Sequence, residues 1–441
     1  MSNRQILENT AAFVLSEAKR LGATDAEIQL SARDSTTAGV RLQEVEELHG
    51  ASAQTLVFQA YLGQNSASTK SSDFSRAGLK RLIRETIDLA RASQPDPCAG
   101  PLEAEYLGAS DVDLQLFDAQ IGKLPLGEQI KMAKEAEQVA LSSDPRVTNS
   151  DGAGFSSSAG VTVYGNSRGF LGSYAGSRCG LHASVIAGDS VIGMQSGEWS
   201  SSSRKLSGLE TAHSVGVTAA RRALQNLGAR KVKSQRVPVI FDKNMAAGLL
   251  GQWASAASGL SVHKRTSFLA DKLGQKVASA GIQIIDDGLI PGALGSRPFN
   301  SEGQASRYRS IVKDGVLESF FIDAYAARKL AMAPNGGGAS NLYIANGDRS
   351  LEEIIASVKN GLLVTSVSGP GFNVVSGDYS RGAAGLWIEN GEIAYPVEEI
   401  TIAGNLIDMF ESIEAIGNDL AFTNAVVSPT LKFAEMMVGG E

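Results

Sequence analysis

The 441-residue chain sets 40 Lys and Arg against 47 Asp and Glu, a formal charge of −7, and no stretch of basic residues offsets that balance locally. Nucleic-acid binding, which draws its affinity from neutralising phosphates, is therefore disfavoured. With 43% hydrophobic and 20% charged residues the composition is that of an ordinary globular protein with room for two or three domains.

The first ten residues are polar, no apolar signal core follows them, and no apolar run is long enough to span a membrane. Two cysteines, Cys98 and Cys179, stand far apart without a CxxC spacing. Both features predict a cytoplasmic protein without a membrane segment or a structural disulfide.

Taken in order, Ile6, Leu7, Phe13, Val14, Ala18 and Leu21 fall at helical spacing, and Gly22 stops the helix. Alternation over residues 26–32, 39–45 and 55–62 predicts strands. Asp73 or Ser75 caps a second helix over 76–92. The order helix, strands, helix indicates an α+β unit rather than a wound parallel sheet. Gln94-Pro95-Asp96-Pro97 opens the clearest linker, so residues 1–100 form an N-terminal α+β domain.

Residues 101–228 read as a strand-rich central unit flanked by helices near 126–141 and 210–227, with a hairpin at Gly165-Asn166-Ser167-Arg168-Gly169. Residues 229–441 form a C-terminal glycine-rich β domain. It has a buried strand at 236–241, a helix over 245–257 capped by Asn244, a hairpin at Lys313-Asp314-Gly315, a helix over 324–330 and a flexible glycine loop at 334–338.

The last sheet, 361–405, reads as short strands, one of them at 372–375, broken by turns that include Asn390-Gly391. Asn-Gly suits a type I′ turn because both central residues need positive φ. Glycine inside a sheet also admits another backbone, so this face is read as the binding surface.

Catalytic signatures are weak. A hydrolytic zinc site needs imidazoles and a general base on one helix, yet His49, His182, His213 and His263 are never followed by Glu, and no two lie within a helical turn. Ser167 sits in a GxSxG match, but between two strand-like stretches rather than a strand and a helix, which favours a plain turn over a nucleophile. Ser261 and Lys264 match SxxK without the accompanying SDN and KTG. Gly336, Gly337 and Gly338 form a mobile or peptide-contacting loop rather than a phosphate cradle. Asp286, Asp287 and Glu302 are acidic near a turn, where solvation or capping is favoured over cation binding, and Trp253 is favoured as a packing anchor.

Three stretches together resemble one family: Arg297-Pro298-Phe299-Asn300-Ser301-Glu302-Gly303; residues 361–365 through Gly377-Asp378-Tyr379-Ser380 and Gly385; and Tyr395-Pro396-Val397 through Asn405-Leu406, Met409-Phe410, Ile416-Gly417 and Ser428-Pro429. They are similar to the TldD/PmbA family, formerly called modulators of DNA gyrase, with Asn300 standing where many members carry Asp.

The resemblance implies an α+β fold, with an N-terminal α/β part bearing helices on a mixed sheet and a C-terminal part rich in antiparallel β-sheet. In the TldD branch a HExxxH zinc motif lies on a central helix, and Gln252, Trp253 and Ala257 fall at its positions here. The chain therefore resembles the PmbA (TldE) branch, with no zinc in this chain and zinc expected in a TldD-like, HExxxH-bearing partner of a heterodimer.

The implied function is that of a non-catalytic subunit of a zinc metalloprotease complex that degrades or matures unfolded peptides and is inactive alone. A homodimeric peptide-binding scaffold without enzymatic activity is the alternative. Possible peptide-contacting residues are Gly336, Gly337, Gly338, Gly377, Asp378 and Ser380.

Overall fold

A computed structural model describes residues 3–189 and 193–440. The N-terminal half opens with α1 (Asn3–Arg20), which ends two residues before Gly22 with its φ of +94°. β1 (Asp25–Arg41), β2 (Glu44–Leu62) and β3 (Asn65–Ser71) follow, then α2 (Arg76–Ala92), whose Gly78 N–H is accepted by the Ser75 side chain at the N-cap.

After the linker come α3 (Leu126–Ser142), β4 (Val147–Asn166), β5 (Leu171–Asp189), β6 (Gly193–Ser203) and α4 (Ala212–Gln225). The six strands join one sheet in the order β3-β2-β1-β4-β5-β6, so segments on both sides of the linker share it through the β1–β4 pairing.

Every pairing in this sheet is antiparallel, as hairpin connections dictate. The expected mixed sheet thus lies elsewhere: the parallel pairings are β7–β12 and β11–β16 in the C-terminal half.

The stretch 39–45, expected as one strand, instead contains the β1–β2 turn. Leu42 and Gln43 both have positive φ, 48° and 65°, without glycine or asparagine to mark them. A buried carboxylate holds that turn from outside it. Glu137 on α3 accepts from the Leu42 N–H (2.8 Å), the Gln43 N–H (2.7 Å) and Ser150 Oγ (2.6 Å). Local chemistry is overruled by a tertiary contact.

One face of the sheet is covered by helices. Leu7, Ala11 and Val14 of α1 and Leu79, Ile83 and Ile87 of α2 pack on Ile28, Leu30, Leu56 and Phe58. Further along, Ala133, Ala136 and Ala140 of α3 with Val215, Ala219 and Ala223 of α4 pack on Phe155, Leu181 and Val185. Alternation sends the intervening residues to the other face. There the register sets Gln29, Ser31, Arg33 and Ser35 of β1 beside Tyr164, Thr162, Gly160 and Ser158 of β4, and these beside Gly172, Tyr174, Gly176 and Arg178 of β5.

The C-terminal half begins with β7 (Gln235–Phe241) and α5 (Lys243–Ala256). The cap of α5 is Asp242, accepting from the Asn244 and Met245 N–H groups, and not Asn244 as expected. Then come α6 (Gly259–His263), β8 (Ile284–Asp287), β9 (Tyr308–Lys313), β10 (Val316–Leu317), α7 (Ala324–Leu330), β11 (Leu342–Ile344) and α8 (Leu351–Ala356). The chain ends with β12 (Asn360–Ser368), β13 (Asp378–Glu389), β14 (Glu392–Asn405), α9 (Leu406–Glu411), β15 (Ile413–Ile416), β16 (Val426–Val427) and β17 (Leu431–Gly439).

Both expected hairpins form. Asp314 and Gly315 turn β9 into β10, and Asn390 and Gly391 turn β13 into β14, all four at positive φ. The strand expected at 372–375 is only an isolated bridge from Phe372 to Tyr379.

Five short strands form the sheet β10-β9-β8-β11-β16. The glycine-rich strands form the sheet β14-β13-β12-β7-β17-β15, in which β14 also pairs with β17 and so closes the sheet upon itself. α5 lies against strands of both sheets, with Leu249, Leu250 and Trp253 in a core shared with Phe241, Leu362, Ile311 and Leu342. On the other side, Ile354 and Val358 cover Ile240, Leu363 and Ile388.

Both faces of the glycine-rich sheet thus carry packed side chains over much of their extent. Its glycines serve close packing: a Cβ on Gly385, at a register shift in β13, would collide with the Leu363 carbonyl oxygen.

Candidate functional site

The uncovered face of the N-terminal sheet looks across at the C-terminal half, and three polar concavities lie between them. One cavity of 390 Å³ is lined by Glu27, Gln29, Gln59 and Tyr61 from the sheet and by Asp96, Glu302 and Tyr325 from the linker and the C-terminal half. It adjoins a second of 390 Å³, which shares Gln29, Tyr164, Ser301 and Glu302 with it and adds Arg297, Asp323 and the loop Gly336-Gly337-Gly338. A third, of 590 Å³, lies further along the sheet, between Arg178, His182, Glu198 and Ser200 on one side and Lys243, Asn244, Met245 and Ser428 on the other.

Electrostatics in the first cavity are set by burial. The Tyr61 and Tyr164 hydroxyls both donate to the Glu27 carboxylate; burial, then that neighbouring charge, drives both phenols far above their ordinary range. The cap residue of α7 is Asp323, accepting from the Ala326 N–H, and Glu302 adds to it by accepting from the Ala324 N–H at the start of the helix (3.1 Å), in line with the capping reading. Burial pushes its carboxyl up to about 7, against the Ala324 hydrogen bond and with the help of Asp323 and Glu27.

Asp286 is not solvated, contrary to expectation. Fully buried, it pairs with Arg309 (2.6 Å) and accepts from Ser340 Oγ (2.7 Å). Arg309 Nη1 in turn donates to the carbonyls of Asn335 (3.1 Å) and Gly337 (2.9 Å), Arg309 Nη2 to that of Gly338 (3.0 Å), and Asn300 Nδ2 to that of Gly336 (3.0 Å). The glycine loop expected to be mobile is therefore pinned along its length, and Gly336, Gly337 and Gly338 form a fixed wall of the cleft. Gly377, Asp378 and Ser380 lie apart from these cavities, at the start of β13, where Asp378 accepts from Ser376 Oγ and Asn405 Nδ2.

Gln252, Trp253 and Ala257 lie at the end of α5, away from the cavities just described. Trp253 is a packing anchor, fully buried and stacked 6.2 Å from Phe410. Gln252 Oε1 and Trp253 Nε1 are buried without a hydrogen-bond partner among the described residues. An indole N–H is only a donor and a methyl group offers nothing, so one neutral carboxamide oxygen is the whole ligand supply of the three positions. That set does not fit Zn²⁺, which takes imidazole, thiolate or carboxylate. Among the described residues no three His, Cys, Asp or Glu side chains gather into a metal-binding group.

Ser167 lies in the β4–β5 turn, as the hairpin reading expects, with Oγ donating to Asp25 (2.6 Å) and accepting from the Ala26 N–H (3.0 Å). Cys98 and Cys179 are free thiols. The residues that sequence reading missed are those of the sheet face. Their signal was the run of alternate polar residues Glu27, Gln29, Ser31, Arg33 and Ser35 in β1, whose wall partner only the register reveals.

Fold and cleft define an α+β protein of two halves, a wet antiparallel sheet facing a helix-braced β region. Comparison with known proteins gives this class its family. Residues 120–227 match the PmbA/TldA metallopeptidase central domain and residues 234–440 the C-terminal domain of the same family. The chain is 38% identical to Metalloprotease PmbA of Escherichia coli O157:H7 over 443 residues, covering 100% of this chain and 97% of the relative. It is 35% identical over 442 residues to a Metalloprotease PmbA homolog of Haemophilus influenzae, with the same coverage.

A crystal structure described as that of a modulator of DNA gyrase from Bacteroides thetaiotaomicron superposes with a TM-score of 0.94 at 30% identity, over 98% of this chain and 99% of that one. TldE from Thermococcus kodakarensis shares the fold, with a TM-score of 0.86 at 21% identity over 99% of this chain and 100% of that one. The chain belongs to the TldD/PmbA family, and its role is protease-related at the level of that family. No helix of the described residues is long and apolar enough to cross a membrane.

Proposed function

We propose that this chain is the non-catalytic, PmbA/TldE-like subunit of a cytoplasmic zinc metalloprotease complex. In this reading a HExxxH-bearing partner supplies zinc and the activated water, and this chain supplies part of the wall that holds unfolded peptides for degradation or maturation. The observation that carries the reading is the ligand supply of α5: Gln252, Trp253 and Ala257 offer one neutral oxygen to a cation. Serine, glycine and threonine interspersed along the sheet wall of the cleft suit chains of varied sequence, because small polar groups leave the peptide backbone as the common feature.

The test is reconstitution. Mixing this chain with a HExxxH relative should create peptidase activity that chelation abolishes and that this chain alone lacks. One equivalent of zinc per protomer, with turnover by the isolated chain, would overturn the proposal. The second reading, a homodimeric peptide-binding scaffold, draws on the fact that the cleft lies wholly within one chain. It is favoured if the chain binds peptides yet fails to associate with any HExxxH relative.

A further inference from the structure

The sequence contains no run of basic residues, but the fold assembles a basic cluster in the cleft. Arg33 projects from β1, Arg178 from β5, and Arg204 follows β6, all toward the uncovered face of the six-stranded sheet. The register places Arg33 beside Gly160 and Gly160 beside Gly176. Arg204 Nη1 lies over Gly176, 3.5 Å from where a Cβ would stand. Arg204 thus lies over Gly176 at van der Waals distance, while the space beside Gly160 is taken by the Ala32 carbonyl and the Arg33 backbone, so the three guanidinium groups gather on the surface of the sheet.

The hydrogen bonds of the three arginines are few and mostly neutral. Arg33 donates to Ser158 Oγ (3.4 Å) and Arg178 to Ser202 Oγ (3.3 Å). Arg204 is clamped by the carbonyls of Ala293, Leu294 and Ser296 through Nε and Nη2, which leaves Nη1 over Gly176. None of the three forms an ion pair with a carboxylate among the described residues, although other arginines of the chain do, such as Arg168, Arg222, Arg309 and Arg328.

Burial, and beyond it the repulsion of Arg178 and Arg33, lowers the Arg204 guanidinium below its ordinary value, opposed by Tyr174. Three neighbouring cations that form no ion pair among the described residues are stabilised when an anion joins them, and a planar carboxylate matches the guanidinium fork.

We propose that the cluster of Arg33, Arg178 and Arg204 on the open face of the six-stranded sheet binds a carboxylate of an extended peptide. The proposal rests on the peptide-handling reading above, but it concerns binding by this chain alone. The carboxylate comes either from the peptide C-terminus or from an acidic side chain, and the two are separable by experiment.

Calorimetric titration of the isolated full chain with an unstructured peptide free of Asp and Glu is the test, comparing its free-acid and C-amide forms. The acid should bind at least about tenfold more tightly, the scale of a lost charge-assisted hydrogen bond. A C-amide peptide with one internal glutamate that binds like the acid identifies the side chain as the source, and one that binds like the plain amide identifies the terminus.

Arg33→Gln and Arg178→Gln should each weaken the acid peptide about tenfold, leave the amide unchanged and preserve the melting temperature. Raising the salt concentration should narrow the gap between acid and amide. Equal affinity for acid and amide, no measurable binding of the acid, or full affinity in both variants would overturn the proposal. Each of these results leaves the reconstitution test of the partner subunit unaffected.

Discussion

The six-stranded N-terminal sheet and the glycine-rich C-terminal sheet draw on the same small residues for opposite ends. In the C-terminal sheet β14 returns to β17, both faces are packed, and Gly385 admits the Leu363 carbonyl where any Cβ would collide. In the N-terminal sheet one face packs on four helices while the other is left open to the cleft, and a Cβ on Gly176 would meet Arg204 only at van der Waals distance. Glycine in a strand therefore says that space is needed there. Whether a neighbouring backbone or a ligand takes that space depends on what covers the face.

The comparison can be broken most forcefully at the buried pair that pins the cleft wall. Asp286→Ala should lower stability by about 3–5 kcal/mol in urea unfolding, since it leaves Arg309 buried and unpaired. Limited proteolysis should then cut first in the glycine loop at 335–338, which Arg309 holds. A variant as stable as the parent would show that the loop needs no such anchor.

The next largest effect separates the two kinds of glycine. Gly385→Ala should cost about 3 kcal/mol in the same assay, as overpacking against backbone does. Gly176→Ala, expected to stay within about 0.5 kcal/mol, is the matched control and the smallest effect foreseen. Equal costs at the two positions would erase the distinction between packed and open sheet.

Between these extremes lies a pH effect at the cleft. Glu302 is raised in the folded state, to about 7, so its protonated form is favoured by folding. That contribution is fully present below the carboxyl's unfolded value and is lost as pH rises toward and through 7. Glu302→Gln should remove the loss, so that in urea unfolding the stability of the variant stays flat between pH 5 and 8 where that of the parent falls by on the order of 2 kcal/mol. A parent and variant with parallel pH profiles would show that Glu302 is not held in the way its burial implies.

Much of the local structure was legible. Ser75 marked the start of α2, Asn390-Gly391 and Asp314-Gly315 marked their hairpins, and helical spacing gave α1, α3 and α7. What misled was chemistry without context. The Leu42-Gln43 turn carries no turn residue, because Glu137 from α3 supplies the hydrogen bonds that asparagine or glycine would have made unnecessary. The loop at Gly336-Gly337-Gly338 looked mobile by composition, yet a guanidinium 26 to 29 positions away in sequence fixes its carbonyls. The family stood out from motifs in the last third of the chain, and full-length relatives bear it out.

By itself the sequence determined the period of each element, the turns that carry their own chemistry, the family, and the absence of an adjacent His–Glu pair, because each of these is written in residues close together along the chain. Only the tertiary structure decided which sheet face is left open to the cleft, that Asp286 is buried against Arg309, and that Arg33, Arg178 and Arg204 gather on one face. Those facts depend on strand register and on the closure of one sheet but not the other. Register and closure are set by many distant contacts acting at once, and no short window of sequence contains them.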